Sequence, residues 1–565
     1  MLVDLMTAAG EQLTGTPWTV YPRPQMKRNS YLNLNGNWEF SVDYNPAGYI
    51  MVPFCPESKL SCIGKHYEEG SMLSYRRSFR LPEGFNRGRV LLHIGAADQQ
   101  ANVFLNGKPV GFHEGGYDSF CFDITKLLYD GENLLQICCF DDLSNQAYPY
   151  GKQVVPEKRG GMWYTPVSGI WQTVWLESVP EEYVQRLKIE NRGYAVTISV
   201  EPRLVGTVTV AGLGSYELQD GSVTIEPENP NLWSPENPHL YEFSLEAGED
   251  HIESYFAIRS LEIKKVGRYP RLCLNGEPYF FHGLLDQGYW PDGIFTPAKP
   301  ECYADDILMM KKLGFNTLRK HIKVEPEEFY YQCDKLGMIV WQDMVNNGSY
   351  SYVRDTVMPT ISLQSQKMSD KNLHRDAASQ RRFLDGMKRA VRQLYNHPCI
   401  CYWTIFNEGW GQFDSDRVYE QFRALDDTRF IDTTSGWFRQ KNSDVDSRHV
   451  YFRKVKLKGD GKKPLVLSEF GGKTYKAEGH LFNPDKSYGY GGCETLEALN
   501  EAVVRLYMDE VVPSTENGLC AAIYTQVSDV EDEINGLVTY DRKLEKMDPE
   551  KLLPVAEALQ QTVRK

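Results

Sequence analysis

What this chain of 565 residues lacks already narrows its function. No apolar run approaches the ~20 residues that a membrane-spanning helix needs. There is no basic excess: 62 Lys and Arg against 76 Asp and Glu leave a net charge of −14. A nucleic-acid groove or an anionic membrane surface is therefore a poor partner. The densest basic group, Lys454 to Lys463, reads as a solvated loop. The twelve cysteines contain no C-x-x-C pair. Cys138 and Cys139 are adjacent, and Cys399 and Cys401 alternate on an apolar run, spacings that suit buried free thiols rather than a disulfide framework or a zinc site. The N-terminal run Met1 to Gly10 is short, broken by Asp4 and preceded by no basic residue, which makes a poor secretion signal. These readings place the chain in a reduced, cytoplasmic setting. No stretch is disordered in composition; hydrophobic residues make up 41% and aromatics 12%, so the chain is folded and aromatic-rich.

The length asks for three or four cores. Residues 1–180 read as antiparallel β, with short strand-like runs such as Leu34–Phe40, Ser74–Phe79, Arg89–Ile94, Asn102–Leu105 and Leu134–Cys138. Asn106-Gly107 is a hairpin signal, because a tight turn needs positive φ at both positions. Many short strands with Gly and Pro turns imply a jelly-roll sandwich. Residues 181–262 carry further alternating runs, Arg186–Glu190, Ala195–Val200, Gly206–Val210 and Ser222–Glu226, and fit an immunoglobulin-like β-sandwich. From 263 the pattern changes. Helices that end in glycine, Pro300–Leu313 before Gly314 and Glu325–Leu336 before Gly337, are each followed by an apolar strand. Eight strands are expected, at Pro278–Phe281, Phe315–Arg319, Met338–Trp341, from Pro398, Phe430–Thr433, His449–Tyr451, Leu465–Leu467 and Cys520–Tyr524. Residues 263–565 thus read as a TIM (β/α)8 barrel.

Within the barrel, the run Cys399-Ile-Cys-Tyr-Trp-Thr-Ile-Phe-Asn-Glu-Gly-Trp-Gly411 ends an apolar strand in an amide, a carboxylate and two glycines. Glu408 there is poorly placed for stability and well placed for chemistry at a barrel mouth. Glu469, in Pro464-Leu-Val-Leu-Ser-Glu-Phe-Gly-Gly472, sits the same way. Two strand-end carboxylates in one barrel suggest a glycosidase.

The domain order, with Leu34-Asn-Gly-Asn-Trp-Glu-Phe40, Ser168-Gly-Ile-Trp-Gln-Thr-Val-Trp175, Asn316-Thr-Leu-Arg-Lys-His321, Tyr331-Gln-Cys-Asp-Lys-Leu-Gly337, Phe406-Asn-Glu-Gly-Trp410 and Ser468-Glu-Phe-Gly471, resembles glycoside hydrolase family 2, the β-galactosidases, β-glucuronidases and β-mannosidases. The resemblance covers essentially the whole chain. It implies a sugar-binding-like first domain and a retaining mechanism, with Glu408 as general acid/base and Glu469 as nucleophile. Retention needs the two carboxyls about 5–5.5 Å apart. It further implies that Asn407 bonds the sugar 2-hydroxyl and that Arg319 holds the nucleophile's carboxylate.

Each assignment has a structural competitor. Asn407 also suits a turn or cap, Arg319 a barrel-core ion pair, and His321, on the same side of its strand as Arg319, a satisfied core histidine. Tyr451 aligns loosely with a tyrosine that the family places beside the nucleophile, and is equally a core tyrosine. Trp341, Asp343 and Trp437 end strands three and five and are candidates to line a sugar site, the indoles by stacking on a pyranose; packing competes for the two tryptophans. Asp286, after strand one, is a weaker candidate. His282, His321 and His449 lie on different strands without an evident acid cluster, so no metal site is expected, and no cofactor beyond water. The loops 346–370 and 473–493 are expected to shape the pocket.

One departure bears on the sugar. Family members that take glucuronides carry an Asn-x-Lys motif near the barrel mouth; here Asn106-Gly-Lys108 falls in the first domain, and none follows Glu469, although Lys473 could supply a charge. The chain also stops at Lys565, where the large β-galactosidases continue. The leading expectation is a retaining exo-β-glycosidase, most like a compact β-galactosidase, acting on a carbohydrate or glycoside substrate. Glucuronide, mannoside, arabinoside and galactofuranoside remain alternatives. So does a non-catalytic carbohydrate-binding protein on a hydrolase scaffold. The two β domains offer surfaces for a homo-oligomer.

Overall fold

A computed structural model describes residues 2–358 and 368–565. The first domain packs a six-stranded antiparallel sheet against a four-stranded one. Inward positions alternate along the strands, as in Gly36–Val42, and a closed apolar core forms around Trp38, Tyr75, Leu92, Val103 and Ile137. The expected hairpin is there: Leu105 faces Lys108, and Asn106 and Gly107 both take positive φ. The second domain is a seven-stranded sandwich of three and four strands around Ile198, Val208, Leu245 and Phe256.

The third domain is an eight-stranded parallel barrel. Its strands, in chain order, are Phe281–Asp286, Thr317–Lys320, Ile339–Asp343, Ile400–Asn407, Phe430–Ser435, Asp446–Val450, Leu465–Gly471 and Leu519–Thr525. The first is displaced from the Pro278–Phe281 run expected from sequence. Glu277–Pro278 instead closes a short antiparallel ribbon by pairing onto the end of Tyr269–Leu274. Polar His282 and unbranched Gly283 disguise the true strand behind it. Spatially the strands run five, four, three, two, one, eight, seven, six. Five and six lie at the two ends of this order, without a backbone ladder between them.

The domains are joined by buried charge. Arg28 sends Nε and Nη2 to Asp250 of the second domain at 2.7 Å each, Nη1 to Glu177 of the first at 3.3 Å, and Nη2 also to the Val184 carbonyl. All three side chains are nearly inaccessible to solvent. Removing one partner of such a pair strands charge in a low dielectric. Arg28→Leu should therefore cost about 3–5 kcal/mol and lower the thermal unfolding midpoint; an unchanged midpoint would count against the clamp.

Candidate active site

The tips of strands two, three, four, six and seven converge on one buried group of side chains. Strand four ends at Asn407, and the chain turns sharply at Glu408, which takes φ +50°. Gly409 continues the turn at φ +79°, where a Cβ would lie 2.5 Å from the Phe438 ring. Only glycine fits there. The turn is pinned by the Glu408 N–H, which donates to the Ser435 carbonyl of strand five.

One oxygen of Glu408, one of Glu469 and a ring nitrogen of His449 lie within 4.8 Å of one another. His449 Nδ1 bonds Glu408 Oε1 at 2.8 Å and lies 3.6 Å from Glu469 Oε2. Its Nε2 meets Ser435 Oγ at 2.9 Å, bridging strands five and six where no ladder joins them. Glu469 is held from two sides. Arg319 Nη1 donates to Oε1 at 2.9 Å, the Tyr451 hydroxyl donates to Oε2 at 2.7 Å, and Tyr451 stacks on Tyr490 at 4.1 Å.

The two carboxyls are driven apart electrostatically. Burial pushes Glu408 above the ordinary carboxylate range, the charge of Glu469 adds to this, and the His449 bond offsets it only in part. Burial acts on Glu469 as well, but His449, Arg319 and the Tyr451 hydroxyl outweigh it and hold that group low.

Arg319 is fully buried and uses all its donors. Besides Glu469 it binds Asp343 through Nε and Nη2 at about 3.0 Å, the Ser468 carbonyl, and Asn407 Oδ1 at 2.9 Å. Because Asn407 accepts with its oxygen, its Nδ2 is left as a buried donor with no partner among the described residues. Trp410 Nε1 and Trp437 Nε1 are orphaned in the same way. Asp343 also holds His321 Nδ1 at 2.9 Å, and burial lowers the His321 pKa to about 4, so the ring is neutral.

Most residues singled out from sequence thus meet here: Glu408, Glu469, Asn407, Arg319, His321, Asp343, Tyr451 and Trp437. Two do not. Trp341 is no stacking platform: it is completely buried one layer down, stacked on Tyr402 at 3.8 Å and against Phe281. Asp286 is taken up by Lys320 at 2.7 Å in a cluster with Glu325 and Lys323. The acids that His449 meets, Glu408 and Glu469, come from other strands and are brought to it by the fold. The two-residue spacing of His449 from Tyr451 is the available signal. The trio has metal-ligand spacing, but Glu408 is bonded to His449 and Glu469 to Arg319 and Tyr451, so it is a poor fit for an ion. Of the loops expected to shape the pocket, residues 359–367 lie outside the described residues; Tyr350 packs edge-on to Trp410, and Tyr490 lines the Tyr451 side.

Three family models of glycosyl hydrolases family 2 match in chain order: the sugar-binding domain at residues 63–180, the middle domain at 178–259 and the TIM barrel domain at 270–550. Among curated proteins, a putative beta-glucuronidase of Formosa agariphila is 22% identical over 69% of this chain and 48% of its own length. A beta-galactosidase of Thermoanaerobacter pseudethanolicus is 23% identical over 81% of this chain and 60% of its own. The chain thus spans about half to three fifths of these relatives. The solved beta-D-glucuronidase of Dictyoglomus thermophilum shares the fold with a TM-score of 0.73 at 19% identity, covering 96% of this chain and 98% of that one. With all three of its domains matched in order, the chain belongs to glycoside hydrolase family 2.

Proposed function

We propose that the protein is a retaining exo-acting β-glycosidase, most like a compact β-galactosidase, with Glu469 as nucleophile and Glu408 as acid/base. The observation that carries this reading is the pair itself: carboxylate oxygens within 4.8 Å, one group held ionised and the other pushed toward its protonated form. That spacing suits a retaining pair, since an inverting pair stands about 6.5–9.5 Å apart to admit a water.

In the first step the Glu408 proton passes to the glycosidic oxygen as that bond breaks, and a Glu469 oxygen bonds the anomeric carbon. The aglycone leaves as an alcohol. Esterification removes the Glu469 charge, and with it one reason for Glu408 to stay protonated. Glu408, now a carboxylate, takes a proton from water while the water oxygen displaces Glu469. The free Asn407 Nδ2 is positioned as a donor to a sugar hydroxyl, a contact that strengthens as charge develops. Two similar curated proteins are named for galactosides and glucuronides, so both belong in a first substrate panel.

Glu469→Gln should lower turnover by at least about 10⁴-fold. Glu408→Ala should retain slow cleavage of nitrophenyl glycosides with good leaving groups, rescued by azide. Wild-type rates in either variant would sink the assignment. Tyr451→Phe removes a donor to the ionised form of Glu469, so the Glu469 pKa should rise. Activity needs that group ionised, so the acid limb of the kcat/KM profile should move to higher pH. A limb that stays put or moves down would show that Tyr451 does not hold the nucleophile.

A further inference from the structure

One side of the barrel mouth is built by the first domain. Its segment 142–168 docks on the loop after strand three: the Tyr150 N–H donates to the Asn346 carbonyl at 3.1 Å, its hydroxyl to the Gly348 carbonyl at 2.8 Å, and Asn347 Nδ2 to the Ala147 carbonyl at 2.9 Å. It also binds the loop after strand eight, through Arg159 to Glu531 and Asp532, and through the Tyr164 hydroxyl to Glu533. Gly151 permits the approach; a Cβ there would lie 2.9 Å from the Ile322 carbonyl. The next residue is Lys152.

Lys152 is only 7% exposed. Three other lysines are buried among the described residues, and each is fully engaged. Lys320 binds Asp286 and Glu325, Lys323 binds Glu325 and two carbonyls, and Lys546 binds Asp529. The Lys152 ammonium has no hydrogen bond or ion pair with any described residue. It lies 5.0 Å from the centre of the Trp410 ring and 6.0 Å from that of Tyr164. Burial lowers its pKa and the charge of Arg319 adds to this; the charges of Glu533, Glu469 and Glu408 oppose it and are outweighed. An ammonium held only by the faces of two rings keeps its N–H donors available to a ligand, and this one lies beside Trp410, within electrostatic reach of the two central carboxyls.

We propose that Lys152 is a specificity-determining residue of the glycone pocket, donating to hydroxyl oxygens of a neutral pyranoside seated beside Trp410. The inference rests on the glycosidase reading above. The charge around the mouth selects the class of sugar. Arg319 is already shared between Asp343 and Glu469, and Glu533 stands against Lys152; Glu408 in its acid form carries no charge. A uronide carboxylate would enter a mouth where acids already outnumber cations; a neutral glycone offers acceptors without adding charge.

The test is a kinetic panel of nitrophenyl β-galactoside, β-glucoside, β-mannoside, α-L-arabinoside, β-glucuronide and β-galacturonide with wild type, Lys152→Met and Lys152→Gln. Wild type should favour a neutral glycoside over either uronide. Lys152→Met should lose about 10- to 100-fold in kcat/KM on it, mainly through KM, with Lys152→Gln, which keeps a donor, in between. One monodeoxy analogue of that glycoside should be poorer than the parent for wild type and equal to the parent for Lys152→Met. A uronide preferred by wild type, wild-type kinetics in Lys152→Met, or an undiminished penalty for every monodeoxy analogue would overturn the proposal. Labelling of Glu469 by an activated 2-fluoroglycoside separates the two readings. With the label in place, any of those results removes Lys152 alone; with neither label nor turnover on the panel, the glycosidase reading fails and this inference falls with it. If Lys152→Met does not fold, the Gln variant and the deoxy series carry the same comparison.

Discussion

A single buried guanidinium organises the candidate site. Arg319 spends its donors on Glu469, Asn407, Asp343 and the Ser468 carbonyl, and each contact fixes something different. It keeps one carboxylate ionised, orients an amide so that its NH₂ faces outward, and anchors the acid that holds His321. The planar fork of arginine suits this, where a lysine would offer a point charge and fewer fixed directions. Such a hub is expensive to bury. It persists because removing it would strand two carboxylates in the barrel interior. The same low dielectric that makes these pairings strong raises Glu408, which has no arginine of its own. Opposite behaviour in two neighbouring acids thus follows from one asymmetric placement of charge.

The barrel's weak seam lies at the same place. Strands five and six share no backbone ladder, and Ser435 with His449 spans the gap through side chains. Backbone pairing would fix this spacing rigidly. Side-chain closure instead lets the seam carry an imidazole whose other nitrogen reaches Glu408. His449 therefore belongs both to the wall of the barrel and to the pair of acids, and its position couples the two.

This division explains what is readable in the chain. The three-domain architecture is legible because strand alternation, glycine-ended helices and the Asn106-Gly107 turn are local signals. The convergence of Glu408 and Glu469 is legible because a carboxylate at the end of an apolar strand, with glycine within two residues, has little structural excuse. Arg319 and Asp343 follow from being inward-facing tips. Trp341 misleads because a period of two gives the side a residue faces but not its depth, and barrel interiors are layered. It shares a face with Asp343 yet lies one layer down against Tyr402. The first strand misleads because the apolar run preceding it, Pro278 to Phe281, is more strand-like in composition than His282-Gly283. His449 stays hidden because its acids come from other strands, 41 and 20 residues away in sequence.

Lys152 is beyond the reach of any local pattern. It sits on an irregular loop of another domain, and its meaning appears only when that loop is set against the barrel. The contacts that seat the loop are extensive and specific: two aromatic hydroxyls, an arginine shared by two acids, and backbone bonds to the strand-three loop. Loops of a barrel vary readily because the strands hold the reacting groups in place. Adding a wall from a separate domain extends that freedom. On the proposed reading the acids and their arginine would set the reaction from strand tips, while a neighbouring sandwich would supply charge and aromatic surface to the mouth. A change of sugar would then require no change in the barrel's own polar centre, only a different residue carried in on the first domain's loop.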